Sequence, residues 1–158
     1  MKNLTMVPRF IVSACLCGQA VRYDGRSQTS PFIQQLTAMG QGVPVCPECL
    51  GGLPVPRPPC ELCPDGRVLS REGTDCTRAF LDGAQKVLDL CLKEGITAAI
   101  LKENSPSCGS RFVYDGSFSG KRIPGQGVTA ALLRKNGIQV YNETEAEKSD
   151  IFTAPFEA

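Results

Sequence analysis

The chain has 158 residues, 17 of them basic and 16 acidic, with nine cysteines, twelve prolines and no histidine. That is the length of about one ordinary domain, enough to bury about two-thirds of the unfolded surface without disulfides. Balanced charge excludes an advertised basic face for duplex nucleic acid. The lack of an apolar run of about 20 residues excludes a membrane span, and the lack of histidine excludes the commonest general base and the commonest zinc or copper ligand.

In chain order, "RFIVSA" (Arg9 to Ala14) predicts a short buried strand that ends at Cys15. "LCGQAVRYDGRSQ" is loop, with Asp24-Gly25 as its turn. Ser30-Pro31 provides an N-cap and a first helical position for "FIQQLTAM", and Gly40 stops that helix. Val43 to Val45 forms a second strand, again ending at a cysteine, Cys46. A Pro/Gly-rich excursion, "PECLGGLPVPRPPCELCPDG", follows; its prolines exclude a central strand or a helix interior. "RVLSREG" reads as a strand or hairpin arm. "DCTRAFLDGAQKVLDLCLKEG" is the longest helix, with Phe80, Leu81, Ala84, Val87, Leu88, Cys91 and Leu92 on a 3.6-residue period; Thr77 or Asp75 caps it and Gly95 closes it. "ITAAILK" is a buried strand running into "ENSPSCGS". A glycine-rich loop, "YDGSFSGKRIPGQG", leads to the helix "VTAALLRKN" and the last strand, "IQVYNE".

Strands alternating with helices predict an α/β fold: a small, Rossmann-like parallel sheet flanked by helices, one domain interrupted by the excursion. The domain spans residues 8–143, and residues 144–158 form a polar C-terminal tail or a docking segment. The N-terminal apolar stretch lacks a signal-peptide cleavage site, so a cytoplasmic location is expected. In a reducing compartment nine cysteines are thiols, and a cluster of them points to metal or redox chemistry.

Two C-x-x-C pairs, Cys46/Cys49 and Cys60/Cys63, suggest a zinc-ribbon-type binding module by spacing alone, with ten residues between the pairs where about 15–20 are usual. A third reading, a redox pair at Cys46 and Cys49, needs a helix opening at the motif, and Leu50-Gly51-Gly52-Leu53-Pro54 disfavours a long one. Topology sorts the thiols differently. Ligands of open α/β sheets lie beyond the carboxyl ends of the strands. Cys15, Cys46 and Cys108 each follow a predicted sheet strand and so share one edge. Three thiolates can hold a 4Fe–4S cluster at three irons and leave the fourth iron open. The competing reading makes each a small buried core residue.

The segments "SACLCGQAVRYDG", "VPVCPECLGGLPVPRPP", "ILKENSPSCGS" and "YDGSFSGKRIPGQGVTAALLRKNGIQVY", in this order and spanning about Phe10 to Glu143, resemble the thiouracil desulfidase family. The resemblance implies a 4Fe–4S cluster on Cys15, Cys46 and Cys108 with one open iron. It also implies that sulfur leaves a small thiolated pyrimidine (2- or 4-thiouracil, or its nucleoside or nucleotide), giving the oxo-pyrimidine and hydrosulfide. Replacing C=S by C=O with water requires no net electron transfer. The chain departs from the family pattern at Cys17 and Cys49, where aliphatic residues are usual, and by adding Cys60 and Cys63. A secondary zinc at Cys49, Cys60 and Cys63 is the minor alternative.

Without histidine, Glu48, two residues from Cys46 and between apolar neighbours, is the expected acid/base group. Ser105 and Ser107 flank Cys108 in "SPSC" and carry hydroxyls suited to hydrogen-bonding a pyrimidine or positioning water. Ser105 is the expected catalytic one and Ser107 the substrate-binding one, against the competing reading of loop serines bound to backbone amides. Asp24 and Arg22 in "RYDG" complete the expected substrate contacts. Oligomeric state is not legible.

Overall fold

The computed structural model describes residues 9–149 and Phe152. Its centre is a four-stranded sheet of β1 (Phe10–Ser13), β2 (Gly42–Val45), β5 (Ala98–Leu101) and β8 (Gln139–Asn142), in the order β2-β1-β5-β8. All three pairings are parallel. The two inner strands, "FIVS" and "AAIL", are buried at every position, as strands covered on both faces must be. Pro44 lies in β2, an edge strand, where its missing N–H costs no ladder bond.

Alternation along the strands divides the core into two layers. Ile11, Ala99, Leu101 and Val140 pack with Val87, Leu88 and Cys91 of α3 (Thr77–Glu94) and with Ala130 and Leu133 of α4 (Val128–Lys135). Phe10, Val12, Ala98 and Ile100 pack on the other side, with Ile33 and Leu36 of α1 (Pro31–Ala38) and with Ala146 of α5 (Glu143–Lys148). The expected fold class is therefore observed. Ser30 caps α1 as its sequence suggests, its side chain accepting from the Ile33 amide at 3.4 Å. Leu81 and Leu92 match the period of α3 but lie outside its buried stripe, 52% and 66% exposed.

The excursion between β2 and α3 is more ordered than its prolines imply. It opens with one helical turn, α2 (Pro47–Leu50), and continues as an antiparallel hairpin of β3 (Cys60–Leu62) and β4 (Val68–Ser70). The α2 turn lies directly on α3. A Cβ on Gly83 would come 1.9 Å from the Pro47 carbonyl oxygen, and one on Gly51 would come 1.9 Å from that of Ala79. Glycine inside a helix costs about 1 kcal/mol; here it allows two backbones to touch. The glycine-rich stretch expected as loop is a second hairpin, β6 (Phe112–Tyr114) with β7 (Arg122–Pro124).

The expected tail begins with structure. Residues 143–148 form α5, started by a capping box in which Asn142 and Glu145 exchange side-chain-to-backbone bonds. Phe152 is fully buried and packs edge-on against Phe10 and Tyr141, with centroids 4.6 and 5.1 Å away. The rest of that segment, 150, 151 and 153–158, lies outside the described residues. Among the described residues no helix is long and apolar enough to cross a membrane.

Candidate functional site

The order of strand addition reverses at β1, with all strands parallel: β2 is added on one side of β1, β5 and β8 on the other. Such switch points leave a crevice at the strands' carboxyl ends. Here the crevice is a cavity of about 510 Å³. Cys15, Cys46 and Cys108 all line it, although they are separated by 31 and 62 residues in sequence. Cys15 lies in a 3-10 turn, Ala14–Cys17, that continues β1 directly. Cys46 is the residue between β2 and α2 and serves as the N-cap of α2. Cys108 belongs to the loop after β5.

Burial sets the proton affinity of these thiols. It pushes Cys15 up to about 11, against the opposing charges of Lys102 and Arg22. It pushes Cys46 and Cys108 up to about 12, the latter despite a hydrogen bond with the Ser13 side chain. Free, all three are neutral thiols at neutral pH; a bound metal centre would have to displace their protons.

The Cys108 loop is held by a carboxylate that the sequence did not single out. Glu103 Oε1 accepts from the amides of Ser110 (2.8 Å), Arg111 (3.1 Å), Phe112 (3.3 Å) and Asn104 (3.3 Å). Its Oε2 accepts from Asn142 Nδ2 at 2.8 Å. Burial alone would raise its pKa, but the bonds from Asn142 and the loop amides outweigh burial and hold it below the usual carboxylate value. Against its far side, a Cβ on Gly127 would lie 2.4 Å from the Ser107 carbonyl carbon, so the loop meets the start of α4 without an intervening side chain. Glu103→Ala is expected to lower unfolding stability by about 2–3 kcal/mol through the amides left unpaired, read as a fall in the urea midpoint at constant slope. Because the folded-state pKa is depressed, the wild-type advantage is complete above the unfolded value of about 4.3 and disappears as pH falls through the lower folded value.

Ser105 also lines the cavity. Its Oγ accepts from the amides of Ser107 (3.1 Å) and Cys108 (2.9 Å). A hydroxyl has two acceptor positions and one proton, so both acceptor positions are filled and the O–H remains to donate. Ser107 is placed differently. It is fully buried, and its Oγ bonds Thr129 Oγ1 at 2.7 Å; the structure gives it the role of tying the loop to α4 and puts it off the cavity wall. Asp24 is likewise off the wall. Its Oδ1 accepts from the Arg26 amide at 3.0 Å, forming the turn its Asp-Gly pair suggests, and its Oδ2 lies 4.0 Å from Arg22 Nη1. Arg22 itself lines the cavity.

Glu48 is on the wall, as expected, and it has a partner that the sequence did not reveal. Arg57, 9% exposed, donates from Nε to Glu48 Oε1 at 2.9 Å. Its other nitrogens donate to the carbonyls of Pro54 (3.0 Å) and Val21 (3.1 Å). One guanidinium thus joins α2, the excursion and the loop after β1. Burial pushes the Glu48 carboxyl upward while Arg57 opposes it, and the net direction is up.

The alternative zinc ribbon of Cys46, Cys49, Cys60 and Cys63 finds no support among the described residues. Cys17 faces Thr37 Oγ1 at 3.1 Å on the α1 side of the sheet. Cys49 lies beside Cys46 and 3.9 Å from Arg57 Nη1. Cys60 interacts with Cys76. Among the described residues no three of Cys, His, Asp or Glu close on a single metal ion, whereas a ribbon brings its four thiols to one point.

A model of the family described as 2-thiouracil desulfurase matches residues 10–145. The Bacillus subtilis (strain 168) protein YbbK, described as uncharacterized, is 42% identical over 144 residues, covering 85% of this chain and 95% of YbbK. A solved structure described as the 4Fe–4S-dependent thiouracil desulfidase TudS is 47% identical with a TM-score of 0.87, covering 92% of this chain and 97% of that one.

Proposed function

This chain belongs to the 2-thiouracil desulfurase family, and on that premise we propose that it removes sulfur from 2- or 4-thiouracil, or from a nucleoside or nucleotide of either, using a 4Fe–4S cluster held by Cys15, Cys46 and Cys108. The observation that carries the reading is the meeting of these three thiols, from three strand ends, in one cavity that Glu48 and Ser105 also line. An all-thiol donor set is the set iron–sulfur clusters take. The three thiols share one cavity wall, and Cys15 and Cys46 lie close enough to Cys108 to act on its proton affinity. When bound, the cluster supplies a Lewis-acidic iron with an open position for the substrate sulfur.

The balanced reaction replaces C=S by C=O with one water and releases hydrosulfide and a proton, so no electron donor is needed. Glu48 manages the protons. Arg57 engages Oε1, which leaves Oε2 to take a proton from the attacking water and return it to the departing sulfur or the ring nitrogen. The upward direction of the Glu48 pKa brings its two protonation states closer in energy near neutral pH, as general acid–base catalysis requires. The free O–H of Ser105 donates to the pyrimidine carbonyl or to the water. Arg22 gives the wall positive charge for an anionic substituent. The cavity falls within the roughly 300–1,000 Å³ of small-molecule sites, which leaves room for a nucleoside as well as a free base.

The test is protein purified without air. About four irons and four acid-labile sulfides per chain are expected, with hydrosulfide and uracil released in equal amounts from 2- or 4-thiouracil. A Cys60→Ser/Cys63→Ser double variant is expected to keep full iron content and turnover. A colourless wild-type protein carrying zinc, lost in that double variant, would instead establish the ribbon.

A further inference from the structure

The cavity wall contains an aromatic residue in a conformation that aromatic residues avoid. Phe118 has φ of 57°, the left-handed region, where a bulky side chain is a genuine outlier. Such strain persists only where the surroundings over-determine it. The surroundings here are specific. Glu61 of β3 is 8% exposed, and its Oε1 accepts from the amides of Gly116 (2.9 Å) and Phe118 (3.1 Å). Arg71, just past β4, holds its guanidinium over the Phe118 ring at 5.5 Å. The β3–β4 hairpin thus grips the tip of the β6–β7 hairpin, and all three of Glu61, Arg71 and Phe118 line the cavity.

We propose that Phe118 is the stacking platform for the flat pyrimidine ring, fixed in place by Glu61 and Arg71, and that it sets the enzyme's preference for planar heteroaromatic thiones. This deepens, and rests on, the thiopyrimidine reading. Arg71 covers one face of the phenyl ring and the substrate takes the other. Every pyrimidine has such a face, so stacking contributes affinity without distinguishing which ring carbon bears sulfur. Glu48 and Ser105, on the wall of the same cavity, act at the reacting carbon, while the platform holds the ring's plane. In this backbone conformation the residue lines the cavity.

Anaerobically purified, cluster-loaded Phe118→Ala is expected to raise KM for 2-thiouracil or 4-thiouracil by about 10-fold or more, leaving kcat within about threefold and iron content unchanged. Tyrosine at this position keeps the wild-type KM. Leucine, similar in bulk but lacking a π face, does not. Phe118→Gly relieves the φ penalty, so its melting temperature equals or exceeds that of wild type while its KM rises like that of the alanine variant; this separates stacking from a role in holding the hairpin. Calorimetric titration with uracil should show the same loss of affinity in the alanine and glycine variants and none in the tyrosine variant. Wild-type KM and uracil affinity in Phe118→Ala and Phe118→Gly, or full recovery in Phe118→Leu, would overturn the platform. Failure of wild type to release hydrosulfide would overturn the desulfidase reading, and the uracil titration would still decide for or against Phe118.

Discussion

Cys15→Ala, Cys46→Ala and Cys108→Ala are each expected to abolish iron binding and turnover, while the protein remains folded. Each thiol comes from a separate strand end, and the neighbouring thiols have other partners or lie off the cavity wall. Cys17 faces away, toward Thr37. Cys49 is the nearest thiol to Cys46, but it is on the α2 turn beside Arg57 and off the cavity wall. Cys60 lies on the wall but interacts with Cys76. The fold should survive because the core layers are built from aliphatic and aromatic side chains across the whole sheet. A cysteine trimmed to alanine loses one small buried group, a loss of the order of 1–3 kcal/mol. The measurements are iron and acid-labile sulfide per chain, hydrosulfide release, and far-UV circular dichroism. Retained iron in any one of the three would remove that cysteine from the ligand set.

Glu48→Gln should do the converse: full iron content with kcat lowered about 10²–10⁴-fold. Glutamine is the informative replacement because its amide oxygen can still accept from Arg57 Nε, so geometry is kept and only proton transfer is lost. Alanine would leave the guanidinium of Arg57, whose side chain is 5% exposed, without its anion, and breaking a buried pair on one side costs about 3–5 kcal/mol. That loss would confound chemistry with local unfolding of α2. Wild-type kcat in the glutamine variant would show that the proton moves through another group. The bond pattern of Ser105 makes its hydroxyl a donor in either case, so a combined Glu48→Gln/Ser105→Ala variant would report whether the two act on one step, through the departure of their effects from additivity.

Both inner strands, the flanking helices α1, α3 and α4, and the common edge of Cys15, Cys46 and Cys108 were legible, for one physical reason. Buried parallel strands advertise themselves as β-branched apolar runs, and knowing where a strand ends places the next residue at the rim. What was not legible depended on partners far away in sequence. Arg57 stands among prolines in a segment that reads as surface linker, and nothing local announces that its guanidinium is buried against Glu48 and Val21. Glu61 and Glu103 look like ordinary surface acids until folding presents them with backbone amides. Ser107 and Ser105, two residues apart, have different fates because one side chain points at Thr129 and the other at the cavity. Adjacent C-x-x-C pairs suggested a ribbon because spacing in sequence says nothing about which way each thiol faces. The α5 capping box of Asn142 and Glu145 was a readable signal, outweighed by the polarity of the six residues that follow it.

The contacts of Gly51 and Gly83 between α2 and α3, and of Gly127 against the Cys108 loop, have an evolutionary and practical corollary. A methyl group at any of these sites would wedge apart two main chains near the rim, far from most of the sheet's core. The resulting molecule would keep its sheet core, yet its thiols would be out of register with one another. Selection on expression level alone would pass such variants, whereas selection on brown colour would discard them at once.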